Sequence, residues 1–363
     1  MWDYLKSKYE GKSVFVTGHT GFKGAWLTET LHLLGAKITG YALPPYYDNN
    51  LYELLQLRGK CDSYLADIQY YGPLQEKLKA ANPHYVFHLA AQPLVRLSYR
   101  EPIETYGANV MGTVNIMEAI RQYGKPTVGV MITTDKVYEN NEHGDPFKEE
   151  DKLAGYDPYS ASKAACEIVI DSYVKSYFNK EKYAEHKVAI SSCRAGNVIG
   201  GGDWATDRLL PDIINSIKGD KPIHIRNPHA VRPWQHVLES VFGYLLLGAK
   251  MHDDPHKYAS AYNIGPEDAD ILKVSEVVEK AIAIWGSGSF TTAKNVDAPH
   301  EAGILKLDCS KLKSVVGWKP VFDVDEAVKK TIEWYKANAQ NPMKSQEVTD
   351  AQIMEYGARF VLG

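Results

Sequence analysis

Residues 13–24 read S-V-F-V-T-G-H-T-G-F-K-G. The first five, S-V-F-V-T, form a short apolar strand. Gly18, Gly21 and Gly24 follow at intervals of three. Phe22–Leu34 then takes up helical spacing, with Leu27, Leu31 and Leu34 on one side. A glycine turn between a strand and a helix lets the backbone approach a pyrophosphate closely. The helix start then offers the anion its free N–H groups. Glycines also serve as plain turn punctuation, so the surrounding elements have to carry the reading.

They do so through most of the first half. K-I-T-G-Y (37–41), H-Y-V-F-H-L (84–89), T-V-G-V-M-I-T (127–133) and V-A-I-S-S-C (188–193) are further strands. Between them lie helix-like stretches at 73–81, at 102–122 (entered at Pro102) and at Pro158–Phe178. Alternating strands and helices predict an α/β fold, a Rossmann-type doubly wound parallel sheet over residues 1–196. After about residue 197 the pattern loosens at Gly200-Gly201-Gly202, Pro211, Pro222, Pro228 and Pro233. Residues 197–235 and 258–310 are expected to form a smaller substrate-binding lobe. Residues 236–257 and 311–338, with helices near 236–250 and 323–338, return to the main body. Residues 339–363 read as a polar, partly loose tail.

Composition narrows the function. Among 363 residues, Lys+Arg is 41 and Asp+Glu is 45, a net charge of −4. No basic field is present to attract nucleic acid. The apolar stretch V-F-G-Y-L-L-L-G-A (241–249) is too short to span a bilayer and predicts a packed helix, not a membrane anchor. The opening M-W-D-Y-L-K-S-K-Y-E has no apolar core of a signal peptide, so a cytoplasmic protein is expected. Cys61, Cys166, Cys193 and Cys309 form no C-x-x-C pair and have no histidine at ligand spacing; reduced thiols and no metal site are expected.

Two short motifs carry chemistry. Tyr159 and Lys163, in P-Y-S-A-S-K, lie one helical turn apart on one face. An ammonium beside a phenol lowers its pKa, which suits proton exchange with a sugar hydroxyl. Tyr4/Lys8 and Tyr183/Lys187 share the spacing, but only Tyr159 follows a strand ending in Thr133-Thr134, which can add a hydroxyl to the same place. That strand continues T-T-D-K, setting Asp135 beside Lys136 at its mouth. A surface ion pair would explain this; so would two proton-transfer groups in one site. The second strand ends G-Y-A-L-P-P, with neither an acid for a ribose nor an arginine cluster for a 2′-phosphate, so local residues leave NAD and NADP open.

Four longer segments resemble the CDP-glucose 4,6-dehydratases of the extended short-chain dehydrogenase/reductase family. They are V-F-V-T-G-H-T-G-F-K-G-A-W-L, T-T-D-K-V-Y, R-A-G-N-V-I-G-G-G-D-W and I-R-N-P-H-A-V-R-P-W-Q-H-V. The likeness runs from about residue 10 to 338. It implies oxidation of a nucleotide-linked glucose at C4, loss of water across C5 and C6, and return of the hydride to C6. Related dTDP-glucose enzymes carry Asp-Glu where this chain has Asp135-Lys136, which leaves open which of the two is acid and which base. The resemblance implies NAD as cofactor, held by Gly18, Thr20, Gly21, Phe22, Lys23, Gly24, Asp67, Ile68, Ala90, Ala91, Thr133, Tyr159 and Lys163. Catalysis would fall to Thr134, Asp135, Lys136, Tyr159 and Lys163. The substrate CDP-glucose would meet Gln92, Asn197, Arg208, Arg226, Arg232, Asn263, His300 and Glu301. Helices 102–122 and 158–178 resemble the family's dimer-forming pair, so a homodimer or homotetramer is implied. Two other functions remain compatible: a nucleotide-sugar 4-epimerase, which needs Tyr159 and Lys163 but no elimination groups, and a non-catalytic NAD-binding regulator.

Overall fold

The computed structural model of the chain describes residues 1–140, 144–225, 227–267, 270–292 and 305–361. Six strands come from the first half: β1 (Ser13–Thr17), β2 (Lys37–Ala42), β3 (Asp62–Leu65), β4 (Tyr85–His88), β5 (Thr127–Ile132) and β6 (Val188–Ala195). A seventh strand, Ala261–Ile264, joins them from far along the chain. The order is Ala261–Ile264, β6, β5, β4, β1, β2, β3, and every pairing is parallel. This is the doubly wound sheet that the alternation predicts. Its order reverses between β1 and β4, so a crevice opens at their carboxyl ends, the place where such sheets bind ligands.

Side chains alternate across the sheet. Phe15, Val86, Met131 and Ile190 enter one core with Ile116, Ile120 and Ile170 of the covering helices. Val14, Val16, Phe87 and Val130 enter the other. There the helix Val237–Asp253 lies against β5 and β6 and buries Val241, Phe242, Leu245, Leu246 and Leu247 completely. Its apolarity all round is that of an interior helix. Among the described residues, no helix is long and apolar enough to cross a membrane. The four cysteines are unpaired.

Three features depart from expectation. Ala261–Ile264 was expected in the smaller lobe but extends the main sheet at the edge of β6. The long helix at 102–122 contains a π-turn, Gly107–Met111, between Pro102–Tyr106 and Gly112–Tyr123. The polar tail is ordered as a helix, Lys344–Arg359, that buries Ser345, Thr349, Gln352, Ile353 and Tyr356. Their spacing of three or four puts them on one face, which the polar composition hid. The remaining strands, Val198–Ile199, Ile223–Ile225, Val231–Pro233, Gln235–His236, Ile271–Lys273 and Phe290–Thr292, are two or three residues each.

Candidate active site

The glycine turn sits at the switch point. Gly18 has φ +78°, and a Cβ there would stand 2.7 Å from the Ala90 nitrogen at the end of β4. A Cβ on Gly24 would stand 2.0 Å from the Gly18 carbonyl oxygen. Glycine is therefore required at both, for the turn and for the helix pressed beneath it. The Thr17 hydroxyl ties the two strand ends together by accepting from Leu89 N and Ala90 N at 3.1 and 3.2 Å. Thr20 donates to the Leu43 carbonyl at 2.8 Å, holding the loop to the end of β2. The helix Phe22–Leu33 starts without a side-chain cap or an acidic first turn. Its leading N–H groups suit an anion, and a dinucleotide's pyrophosphate fits this cradle. Asp67 and Ile68 sit on the neighbouring turn. Asp67 accepts from Gln69 N at 2.8 Å, two residues on, rather than capping the helix that begins at Tyr71. Ile68 is packed against Gly112.

Tyr159 and Lys163 share the inward face of the helix Pro158–Ser176, whose start is fixed by a capping box between Asp157 and Ser160. Both are buried, and the Lys163 ammonium donates to the Ile132 carbonyl at 3.2 Å. Burial pushes Tyr159 up to about 12, while a hydrogen bond with Thr134 and the charge of Arg208 pull it down. This corrects the expected direction: desolvation outweighs the neighbouring cations here. Burial likewise draws Lys163 down, against Cys166 and Glu167. Lys23 reaches the same interior from the glycine loop. It is drawn down to about 8 by burial, with Arg208 and Lys163 adding and Asp135 opposing.

Asp135 is fully buried. Its Oδ1 accepts from the Thr134 hydroxyl at 2.9 Å and lies 3.9 Å from Lys136 Nζ. Its Oδ2 is buried with no hydrogen-bond partner. Lys136 is 30% exposed, so it faces the open side of the pair. A surface ion pair is thereby excluded: one member has no contact with solvent.

The substrate residues divide. Arg208 is half-buried, bonds Asp203 at 3.1 Å and is close enough to Tyr159 to act on its charge. Asn197 holds φ +29°, a strained backbone for a non-glycine residue, and its amide nitrogen is buried without a partner. Arg232 lies on Val231–Pro233 and donates to the Val231 carbonyl at 2.9 Å. Asn263 is corrected: it is fully buried, accepts from the Tyr138 hydroxyl at 2.6 Å and donates to the Phe147 and Asp308 carbonyls. Gln92 is corrected likewise, since its amide bonds Leu94 twice and the Thr105 hydroxyl once. Thr133 turns its hydroxyl to Glu167 and the Cys193 carbonyl. Arg226, His300 and Glu301 lie outside the described residues.

Sequence reasoning missed three residues around these. Glu167 follows Lys163 by one helical turn and is clasped by Arg194, Ser192 and Thr133. A Cβ on Gly196 would stand 1.9 Å from Asp135 Oδ2, so that glycine seats the carboxylate. Asn109, in the π-turn, bonds both Gln92 and Ser162. The helical spacing Tyr159–Lys163–Glu167 was readable; the other partners are distant in sequence.

The sequence profile of the GDP-mannose 4,6 dehydratase family matches residues 15–331. The chain is 44% identical over 332 residues to CDP-glucose 4,6-dehydratase of Salmonella typhimurium, covering 92% of each chain. A probable UDP-glucuronate 4-epimerase of Rhizobium meliloti is 26% identical, with 89% of this chain and 96% of that one covered. Among solved structures, MoeE5 in complex with UDP-glucuronic acid and NAD aligns with TM-score 0.75 at 25% identity, over 89% of this chain and 99% of its own.

Proposed function

We propose, on the premise that this chain belongs to the GDP-mannose 4,6 dehydratase family, that it dehydrates CDP-glucose to CDP-4-keto-6-deoxyglucose with NAD as cofactor. One observation carries the reading. A Tyr–Lys pair suited to alcohol oxidation lies close enough to Asp135 for the two to act on each other's charge, and Asp135 is a buried carboxyl group that accepts from Thr134, keeps one open oxygen and has Lys136 beside it. An epimerase has no use for the second half of that arrangement, and a pure sensor has no use for either. The higher identity to the dehydratase than to the epimerase agrees.

NAD, held over the glycine turn by Gly18, Gly21, Gly24 and the helix start, supplies a hydride acceptor for C4 and a donor for C6. The chain's own residues do the rest. Tyr159 receives the O4 proton, and Lys163 fixes the ribose and the local charge. Once C4 is a ketone, the C5 hydrogen is acidic. Asp135, in its protonated form, gives a proton to the departing C6 hydroxyl, and Lys136, as a neutral amine on the open side, takes the C5 proton and returns it. Arg208 and Arg232 hold the diphosphate, and Asn197 the sugar side.

Incubation with CDP-, dTDP-, UDP- and GDP-glucose tests this: a 4-keto-6-deoxy product is expected, with CDP-glucose preferred. A C4 epimer, or no conversion, rejects it. Lys136→Met should still oxidise C4 yet fail to exchange the C5 hydrogen with deuterium oxide; normal exchange reverses the acid and base roles.

The protein acts in the cytoplasm as a homodimer or a pair of dimers. The helical segments at 102–123 and 158–176, packed against each other, support the assembly, since Ile103, Tyr106, Met111 and Ile168 are exposed on them. Such a patch on two adjacent helices suits a self-complementary interface. Light scattering of an Ile103→Glu, Met111→Glu variant tests it; an unchanged mass rejects that face.

A further inference from the structure

Residues 200–208 join the strand Val198–Ile199 to the helix Leu209–Lys218 and form no helix or strand of their own. They are nevertheless held along their length. Gly201 lies flat on the Trp334 ring, where a Cβ would stand 2.0 Å from Trp334 Cγ. Tyr335, fully buried, donates its hydroxyl proton to the Asp203 carbonyl. The Trp204 ring meets Tyr335 edge-on, with centroids 5.1 Å apart. Further along, Thr206 N donates to the Tyr47 hydroxyl at 3.2 Å, and Asp207 pairs with Arg96 at 3.6 Å.

A buried carboxylate stands at the centre of this loop. Asp203 Oδ1 accepts from Ala205 N at 3.1 Å, and Oδ2 accepts from Arg208 Nη1 at 3.1 Å. The backbone contacts do not fix the tip of Arg208, because several rotatable bonds separate its guanidinium from Cα. Asp203 fixes it. Among the described residues, Nε and Nη2 of Arg208 have no hydrogen-bond partner. Those two nitrogens share one edge of the guanidinium plane, and their parallel N–H bonds match two oxygens of a phosphate. Nη1, the nitrogen that Asp203 takes, lies off that edge. We propose that Asp203 is a positioning residue, which holds Arg208 by Nη1 so that its Nε–Nη2 edge meets the diphosphate of the substrate.

The proposal rests on the dehydratase reading and deepens it at the nucleotide end. A carboxylate beside a guanidinium acts on an incoming anion in two opposed ways. Its charge offsets the cation's attraction, which weakens binding. Its hydrogen bond removes the search among rotamers, which strengthens binding. Two observations favour the second effect. The Arg208 side chain is 31% exposed and that of Asp203 8%, so the carboxylate stands behind the guanidinium and leaves its open side to the ligand. The carboxylate is itself tied, through Ala205 N and through the Tyr335 hydroxyl on its carbonyl, so it cannot follow Arg208 as the side chain turns.

A double-mutant cycle tests whether Asp203 acts through Arg208. Asp203→Ser keeps an oxygen for the turn at Ala205 N but is too short to reach Arg208. With saturating NAD, it should raise KM for CDP-glucose about tenfold, leave kcat within about twofold, and weaken CDP binding on calorimetry by the same factor as KM. Asp203→Asn, whose carbonyl oxygen can accept both bonds, should recover most of each loss. Asp203→Glu keeps the charge but moves the carboxylate outward, and should raise KM as the serine variant does. In an Arg208→Met background, Asp203→Ser should change neither KM nor CDP affinity. An equal loss in that background marks a merely structural role and overturns the proposal. A lower KM in Asp203→Ser also overturns it, since Asp203 would then restrain Arg208 instead of presenting it. So does a wild-type KM in Asp203→Glu. If wild type binds CDP and the cycle holds while CDP-glucose is not converted, the dehydratase reading falls and the role of Asp203 stands. If wild type does not bind CDP, both fall.

Discussion

Asp135 and Glu167 are buried carboxylates at the end of β5, and they differ in what their oxygens touch. Glu167 has Arg194 at 2.8 Å and Ser192 at 2.8 Å on one oxygen and Thr133 on the other. Arg194 continues to Tyr138 and the Glu149 carbonyl, both within 2.9 Å. That network joins the Tyr159 helix to β5, β6 and the strand Ala261–Ile264. Asp135 has a threonine on one oxygen, Lys136 Nζ 3.9 Å away, and no hydrogen-bond partner on the other. A charge with donors on both oxygens and a guanidinium partner fixes structure. An under-satisfied one costs stability and stays available for a proton. Function here sits where bonding is incomplete.

Substitutions can break that contrast. The largest effect is expected from Asp135→Asn, which should lower kcat by roughly 10³-fold with stability unchanged or slightly raised. A marked fall in unfolding free energy on urea titration would place Asp135 among the structural charges. Glu167→Gln should do the reverse. Leaving the Arg194 guanidinium buried without its counter-charge should cost about 3–5 kcal/mol, with activity following stability. Full stability in that variant would show the pair to be dispensable. Gly196→Ala comes next. Its methyl group would overlap Asp135 Oδ2, so the carboxylate must move, and a loss of about 1–3 kcal/mol is expected together with a fall in elimination. Intact elimination by this variant would mean that the seat of Asp135 is soft.

A third buried carboxylate sharpens the contrast with the smallest effect. Glu239 accepts from Val321 N, Phe322 N and the Tyr356 hydroxyl but pairs with no cation among the described residues, and burial pushes it up to about 8. The folded state therefore holds a proton that the unfolded state releases above about 4.5. Stability conferred by this group is full below that pH and is lost as pH rises through about 8. Between pH 7 and 8 the loss should be about 1 kcal/mol. Thermal melts of Glu239→Gln should lack this slope; parallel curves for the two proteins would reject it.

The parts of this design visible in the sequence are those set by one element at a time. S-V-F-V-T-G-H-T-G-F-K-G gives strand, turn and helix from adjacent residues, and Tyr159–Lys163 needs only helical spacing. Asp135-Lys136 stood out because a carboxylate and an amine seldom end an apolar strand. What stayed hidden depends on closure between distant segments. Gly196 has no signal of its own within R-A-G-N-V-I, and only Asp135 lying against it shows what it does. Asn263 was expected at the diphosphate, yet its amide is consumed by Tyr138, Phe147 and Asp308. The smaller lobe is built of strands too short to show a period.

The π-turn at Gly107–Met111 has a consequence for how this helix could change. Such a turn holds one residue more than an α-helix would. Removing a residue there would restore regular hydrogen bonding and make the helix itself more stable. It would also rotate everything beyond by about 100° relative to Pro102–Tyr106. Asn109 would lose its hold on Gln92 and Ser162, and Met111 would leave the exposed face it shares with Ile103. Local regularity and the working arrangement are thus opposed at this point, and a selection for heat resistance alone would push the helix toward the shorter, inactive form.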